Sequence, residues 1–319
     1  NVTLRAESKN GYYYYFDANG ELNTLPAGTA LSKSDEGQYV AQIGNEKHII
    51  VKNGSVFNAG DVLALNGTIT LEAAKGNLTN YDDFNTLSTE VATKWDSQYK
   101  GVDIATGNIV FSAENGHLYN NKDLESGENI SLTAAQGLTN FAYNVYAGKN
   151  ITLTATQGDV VNTAVLESVY GDVTLKALEG NVINGKVDTP ASGDIITLGG
   201  TVKLEAYGKD SAGNAYNVTN YGDIIAIGKM TNDVEGSGSI ILKSEQGDVY
   251  NYDDFNTLND TTEINYNYKA SKHISIVTTN ASYNIATSNI EILAEKGEIV
   301  NTRDYLVALG NVTLKAQEG

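Results

Sequence analysis

A phrase of alternating residues returns along this chain at near-constant intervals. Ile109/Phe111/Ala113, Ile130/Leu132/Ala134, Ile151/Leu153/Ala155 and Val173/Leu175/Ala177 follow one another at steps of 21, 21 and 22 (130 − 109, 151 − 130, 173 − 151). Such a period is too short for a βαβ unit, which needs roughly thirty residues. Apolar residues alternating with Thr, Lys, Glu or Ser are the mark of a strand with one buried face. Repetition at this length describes the coils of a solenoid. The phrase recurs at Val2/Leu4/Ala6, Ile69/Leu71/Ala73, Val202/Leu204/Ala206, Ile240/Leu242/Ser244, Ile274/Ile276/Thr278, Ile290/Ile292/Ala294 and Val312/Leu314/Ala316. Longer steps, 40 from Ile69 (109 − 69) and 38 from Val202 (240 − 202), read as two coils each, the middle one too degenerate to recognise. The expectation is an all-β, right-handed parallel β-helix (β-solenoid) with coils of about 21 residues and loop excursions, repeated about fifteen times over roughly 70 Å.

Two residue types punctuate each coil. A glycine falls three positions past the alanine, at Gly76, Gly116, Gly137, Gly158, Gly180, Gly247, Gly297 and Gly319. The simplest reason is a bend needing positive φ, which glycine reaches without steric penalty. An asparagine follows at Asn80, Asn120, Asn140, Asn162, Asn184, Asn251 and Asn301. Coils stacked in register would turn these side chains into an amide ladder of the kind stacked strands favour. Asn-x-Ser/Thr sequons are frequent for a related reason, since the strand phrase itself often reads Asn-Val/Ile-Thr/Ser; glycosylation of outward asparagines is the other reading.

Charge and composition exclude several classes of function. A net charge of −18, with arginine only at Arg5 and Arg303, argues against a basic face for nucleic acid or an anionic membrane. No apolar run is long enough to insert in a bilayer. With no Cys there is neither a disulfide framework nor a Cys metal site. His48, His117 and His273 lie in separate coils with no paired spacing, and no nucleophile-elbow, P-loop or dinucleotide motif occurs. β-Helices also serve as polysaccharide lyases and hydrolases, which need acids clustered with a base on one face; the acids here are spread evenly. No enzyme, cofactor or metal is expected.

Residues 1–66 match the phrase least and read as irregular, aromatic-rich coils, with residues 67–319 forming the regular solenoid. Tyr12, Tyr13, Tyr14, Tyr15 and Phe16 would fill a core on one face and pack under a loop on the other, or offer an aromatic contact platform. A cassette, near 67–137 and again near 238–319, is marked by NYDDFNTL at Asn80–Leu87 and at Asn251–Leu258, an offset of 171 (251 − 80), or about eight coils. Asp82, Asp83, Asp253 and Asp254 read as turn residues, with a cation site or a catalytic pair as alternatives. Leu87, Val91, Trp95 and Tyr99 then fall at helical spacing, either as a helix packed on the coil or as a recognition excursion carrying the sole Trp. In the second copy Ile264, Tyr266 and Tyr268 alternate like a strand. Residues 186–199 and 208–222 read as loops extruded from longer coils.

The phrase Gly-Asp/Asn-Ile/Val-x-Leu-x-Ala-x-x-Gly-x-Val/Ile-x-Asn, clearest as GDVTLKALEGNVIN at Gly171–Asn184, resembles the rod of filamentous-haemagglutinin-type adhesins of Gram-negative bacteria. The likeness runs from about residue 67 to the end. It implies a secreted rod at the cell surface, exported through an outer-membrane secretion partner, that presents excursions to a glycan or protein of a host, bacterial or matrix surface. Tyr12–Phe16, Trp95 and Tyr99 are the candidate partner contacts. Because the chain opens and closes inside the repeated phrase, it reads as a fragment of something longer. The competing class is a structural subunit of an extracellular filament, sheath or surface layer, self-associating end to end or laterally through strand edges.

Overall fold

The computed structural model describes residues 1–6, 13–16, 22–26, 28–33, 39–52, 54–58, 60–64, 66–81, 102–187, 192–228, 238–252, 261–268, 272–279, 283–303 and 305–318. Three parallel sheets of ten, nine and nine strands wrap one core; each of nine coils contributes a strand to each sheet, and Val312–Ala316 adds a tenth to the first. The first sheet is built from the five-residue phrase, from Val2–Ala6 to Val312–Ala316; the second from Val-x-Asn triplets such as Val160–Asn162; the third from short strands such as Val165–Ser168. The fold is therefore a three-sided parallel β-helix.

Alternation decides what goes inside. Ile151, Leu153 and Ala155 are fully buried while Thr152 and Thr154 face outward, and the same alternation holds in every rung from Ile69–Ala73 to Ile290–Ala294. Each buried Leu or Ile contributes on the order of 2 kcal/mol. Like sits on like along the axis, because the register pairs Ile151 with Val173, Leu153 with Leu175 and Ala155 with Ala177.

Register corrects the coil count. Ile69 pairs directly with Ile109, and Val202 with Ile240, so the two longer steps are single coils carrying excursions rather than two coils each. Ile240 pairs with Ile290 in the same way, across a still longer step of 50 (290 − 240). Ile274, Ile276 and Thr278 are not a rung at all; they belong to Lys272–Thr279, which pairs antiparallel with Thr261–Tyr268. There are ten rungs in the first sheet, spanning about 45 Å at the usual strand spacing, in place of about fifteen rungs and about 70 Å. The strand expected around Ile264–Tyr268 is present.

Residues 1–66 also differ from irregular coils. Val2–Ala6 forms the first rung and pairs with Ile69–Ala73. Between them Tyr13–Phe16, Leu22–Thr24, Ser32–Lys33, Tyr39–Ile43 and Glu46–Lys52 make a separate five-stranded antiparallel sheet, and the solenoid resumes at Val56–Asn58. Alternating side chains hid the change because antiparallel and parallel strands share the two-residue period.

The glycines are explained mostly by contact between coils. Of those aligned after the phrase, Gly137 and Gly158 have positive φ (137° and 85°). Gly76, Gly116, Gly180, Gly247 and Gly297 do not; at Gly180 a Cβ would fall on the carbonyl oxygen of Gly158 in the adjoining coil. Close approach of neighbouring backbones, rather than a left-handed bend, excludes a side chain there.

At the corner leading into the first sheet, side-chain oxygens cap the next coil. Asn129 and Asn150 each accept the main-chain N–H of the following turn residue, Asn150 and Asp172, at 3.1 and 2.8 Å. Both amide nitrogens also donate to the preceding coil at 2.9 Å. These two sequon asparagines thus have a structural role of their own.

Because the core column is continuous and dry, Leu153→Lys is expected to leave a charge buried without a partner, costing several kcal/mol. Thermal unfolding followed by circular dichroism should show a large fall in midpoint; a wild-type midpoint would contradict the packing.

Candidate functional site

The corner between the second and third sheets is where structure and sequence diverge most. In an ordinary coil three residues separate Asn140 from the next strand at Asn144 (144 − 140 − 1). After Asn80 there are 21 before Val102 (102 − 80 − 1), and after Asn251 there are 31 before Tyr283 (283 − 251 − 1). The stretch of ten after Asn184 leaves from this same corner (195 − 184 − 1). Both NYDDFNTL copies begin here, on rungs six steps apart in the second sheet, about 30 Å along the axis. Six steps replace the eight coils expected.

Just before the corner, every coil presents its asparagine inward. Nδ2 of Asn58, Asn80, Asn120, Asn140, Asn162, Asn184, Asn220 and Asn251 donates to Oδ1 of the next member, ending at Asn301, with all eight bonds between 2.7 and 2.9 Å. The second N–H of several donates to a carbonyl at the corner, as from Asn162 to Ala164 at 3.0 Å and from Asn220 to Gly222 at 2.9 Å. Asn58 and Asn220 escape the repeated phrase, although Val56-Phe57-Asn58 and Val218-Thr219-Asn220 carry the same Val-x-Asn signal.

The two cassette corners share a polar core that the sequence did not reveal. Two positions past the ladder asparagine, ordinary coils place a buried alanine, Ala142 or Ala164. The coil after each long excursion carries Lys122 or Arg303 there instead, and both are buried. Each reaches past the coil that emits the excursion to an aspartate on the coil beyond. Lys122 Nζ lies 2.9 Å from Asp61 Oδ1, and Arg303 NH1 donates to Asp223 Oδ1 at 2.5 Å. Asp61 and Asp223 occupy matching sequences, Asn58-Ala-Gly-Asp61 and Asn220-Tyr-Gly-Asp223. The emitting coil returns with Asp103 in one copy and Asn284 in the other, each fully buried at an inward position of the third sheet. Both pairs keep one sequence offset (303 − 122 = 284 − 103), so they are corresponding places in the duplicated corner.

Asp103 is firmly placed. Its Oδ1 accepts the Val62 N–H at 2.8 Å, its Oδ2 accepts Asn80 Nδ2 at 2.9 Å, and Lys122 Nζ is 3.6 Å from Oδ1. Burial pushes its carboxyl up to about 6, against the opposing pull of Lys122 and the two hydrogen bonds. Asp194, beside the second corner, is likewise raised by burial, opposed by the Asp223 N–H and by Arg303.

Aromatic rings pack at the roots of the excursions. Tyr81 stacks on Phe57 at 6.3 Å, and Tyr252 lies between Tyr221 and Tyr250 at 5.4 and 5.6 Å. The Tyr250 hydroxyl donates to Asp248 Oδ2 at 2.7 Å, which, with burial, pushes it up to about 12. The tyrosine of each NYDDFNTL copy thus packs on the adjoining coil.

Other expected site residues fall elsewhere. Asp82, Asp83, Asp253, Asp254, Trp95, Tyr99 and Tyr12 lie outside the described residues, as does the helix expected near residues 87–99. Tyr13–Phe16 is a strand of the antiparallel sheet between Leu22–Thr24 and Glu46–Lys52; Tyr15 is half-buried with its ring edge-on to His48 at 5.0 Å. Among the described residues no three His, Asp or Glu side chains gather where they could hold a metal ion. Comparison with protein-family models, curated proteins and solved structures finds no match.

Asn162→Ala leaves the Asn140 donor and the Asn184 acceptor unpaired and should cost about 2–4 kcal/mol in urea unfolding, with a smaller loss for Asn301→Ala at the half-buried end of the ladder. Equal losses would contradict a ladder that depends on burial. The raised carboxyl of Asp103 means the native chain holds its proton more tightly than the unfolded chain. That contribution is present in full below the ordinary value of 3.8 and is lost as the pH rises through about 6. Relative to Asp103→Asn, the wild type should therefore gain stability as the pH falls from about 6 to about 4; a pH-independent difference would contradict the shift.

Proposed function

We propose that this chain is the rod of a secreted surface adhesin, a rigid spacer that displays excursions for attachment to a glycan or protein on a cell or matrix. The supporting observation is that both copies of the duplicated cassette emit their long excursions from one corner of the prism, six rungs apart. A rod that merely spaced other domains would gain nothing from repeating this arrangement at two stations. The charge of −18 suits an extended body that stays soluble and separate, and it disfavours anionic nucleic acid as a partner. Location outside a Gram-negative cell, and passage through an outer-membrane secretion partner, belong to the same proposal and rest on the sequence resemblance.

The test replaces residues 82–101 with a three-residue corner like that between Asn140 and Asn144, and measures binding to glycan arrays, epithelial cells and matrix proteins. The expected result is at least about a tenfold loss of binding with unchanged unfolding, as for removal of residues that carry an interface. Undiminished binding, or no binding by the intact chain to any of these surfaces, would count against the reading. If the intact chain instead sediments as long regular filaments, the structural-subunit reading takes its place.

A further inference from the structure

We propose that Lys122 and Asp61 become joined by an intramolecular amide bond, formed within the folded chain with Asp103 as the acid–base group. The first support is position. Lys122 Nζ is fully buried and 2.9 Å from Asp61 Oδ1, at angles that fall short of a hydrogen bond. The carbon that Nζ would attack, Asp61 Cγ, is one bond beyond that oxygen, so the pair is already held side by side, which is what proximity contributes to such a step.

The surroundings supply the second support. Lys122 and Asp61 face each other inside the fold, and the step begins with one proton passing from Nζ to the Asp61 carboxylate across that short contact. The products, a free amine and a carboxylic acid, are the two reactants that amide formation needs. Asp103 provides the third. Its Oδ1 is 3.6 Å from the same Nζ, and the Val62 N–H and Asn80 amide fix its orientation. Burial raises its carboxyl, so that it holds a proton to higher pH than an exposed aspartate does.

The step balances without any outside reagent. The Nζ lone pair attacks Asp61 Cγ, and the carbonyl electron pair moves to oxygen. Asp103 donates its proton to the departing hydroxyl and takes one from Nζ, so it finishes as it began. One C–N bond forms, one C–O bond breaks, and a single water leaves; nothing is oxidised or reduced.

The duplicated corner supplies an internal contrast. Arg303 takes the place of Lys122, and Asn284 that of Asp103. A guanidinium stays protonated, and an amide cannot serve as the acid. That corner keeps the ion pair of Arg303 with Asp223. The amide would tie the coil before the first excursion to the coil after it, closing the whole segment from Asp61 to Lys122 into a covalent loop that contains the emitting coil.

Intact-mass spectrometry of the purified full chain tests this directly. The expected mass is lower than the sequence mass by one water, about 18 Da. After trypsin a branched peptide should join the segments containing Asp61 and Lys122. Asp103→Asn and Lys122→Arg, each with wild-type circular dichroism, should show their full sequence masses. Asp61→Asn should cross-link with loss of ammonia, about 17 Da, because the amide nitrogen is then the leaving group. A folded wild-type chain at its full sequence mass would overturn the proposal. So would a loss of water that maps to one linear peptide, since that product is a succinimide.

Discussion

Each coil of this chain is bound to the next by the side-chain amide of one buried asparagine. The amide has a fixed polarity, and all eight bonds run in one direction, nitrogen of one coil to oxygen of the next. Turning one amide over would set nitrogen against nitrogen on one side and oxygen against oxygen on the other, in a dry interior where unpaired groups cost about 1–3 kcal/mol each. The ladder therefore fixes register along the whole solenoid. The apolar columns of the first sheet could slide by one pleat repeat and still bury carbon against carbon; the asparagines could not.

Fixed register explains why the chain tolerates so much inserted sequence. The steps from Ile109 to Ile130, Ile69 to Ile109, Val202 to Ile240 and Ile240 to Ile290 each close into one rung, although the last is more than twice the first, because what lies between is extruded at a corner. Closing a longer loop costs little more than closing a short one. Beside both excursions the described interior turns polar. At both cassettes a long basic side chain from the coil on one side of the emitting coil reaches an aspartate on the other. Buried charge is the consequence, and it makes these corners the most polar part of the described interior.

Much of the fold was legible in the sequence because strand alternation and coil period are both local signals. Ile151-Thr-Leu153-Thr-Ala155 announces which side is buried, and its return at Val173 announces the stacking. Three matters were not legible. Period alone cannot tell a long coil from two coils with one decayed, so the step from Ile69 to Ile109 reads as two; only pairing settles it. The tyrosine run near residue 13 alternates like any strand and says nothing of its antiparallel partners. Lys122 and Arg303, charged residues in polar stretches, look solvated. Their burial follows from the three-dimensional adjacency of coils that are distant in sequence, bringing Lys122 to Asp61 and Arg303 to Asp223. The signal that could have found them is the common offset of Lys122/Arg303 and Asp103/Asn284, read together with the matching Asn-x-Gly-Asp sequences.

Coils stack in one register whatever is inserted between them, and the absence of native cysteine allows a direct test. Thr70 and Val110 face outward as direct partners although the first long excursion lies between them in the chain. In the double variant Thr70→Cys/Val110→Cys, mild oxidation should form the disulfide as readily as in the control Thr133→Cys/Thr154→Cys, whose positions are neighbours across an ordinary coil. If an additional coil lay between Thr70 and Val110, their Cα atoms would be about 10 Å apart, beyond the reach of a disulfide. Oxidation of the control with persistent free thiols at positions 70 and 110 would contradict the account.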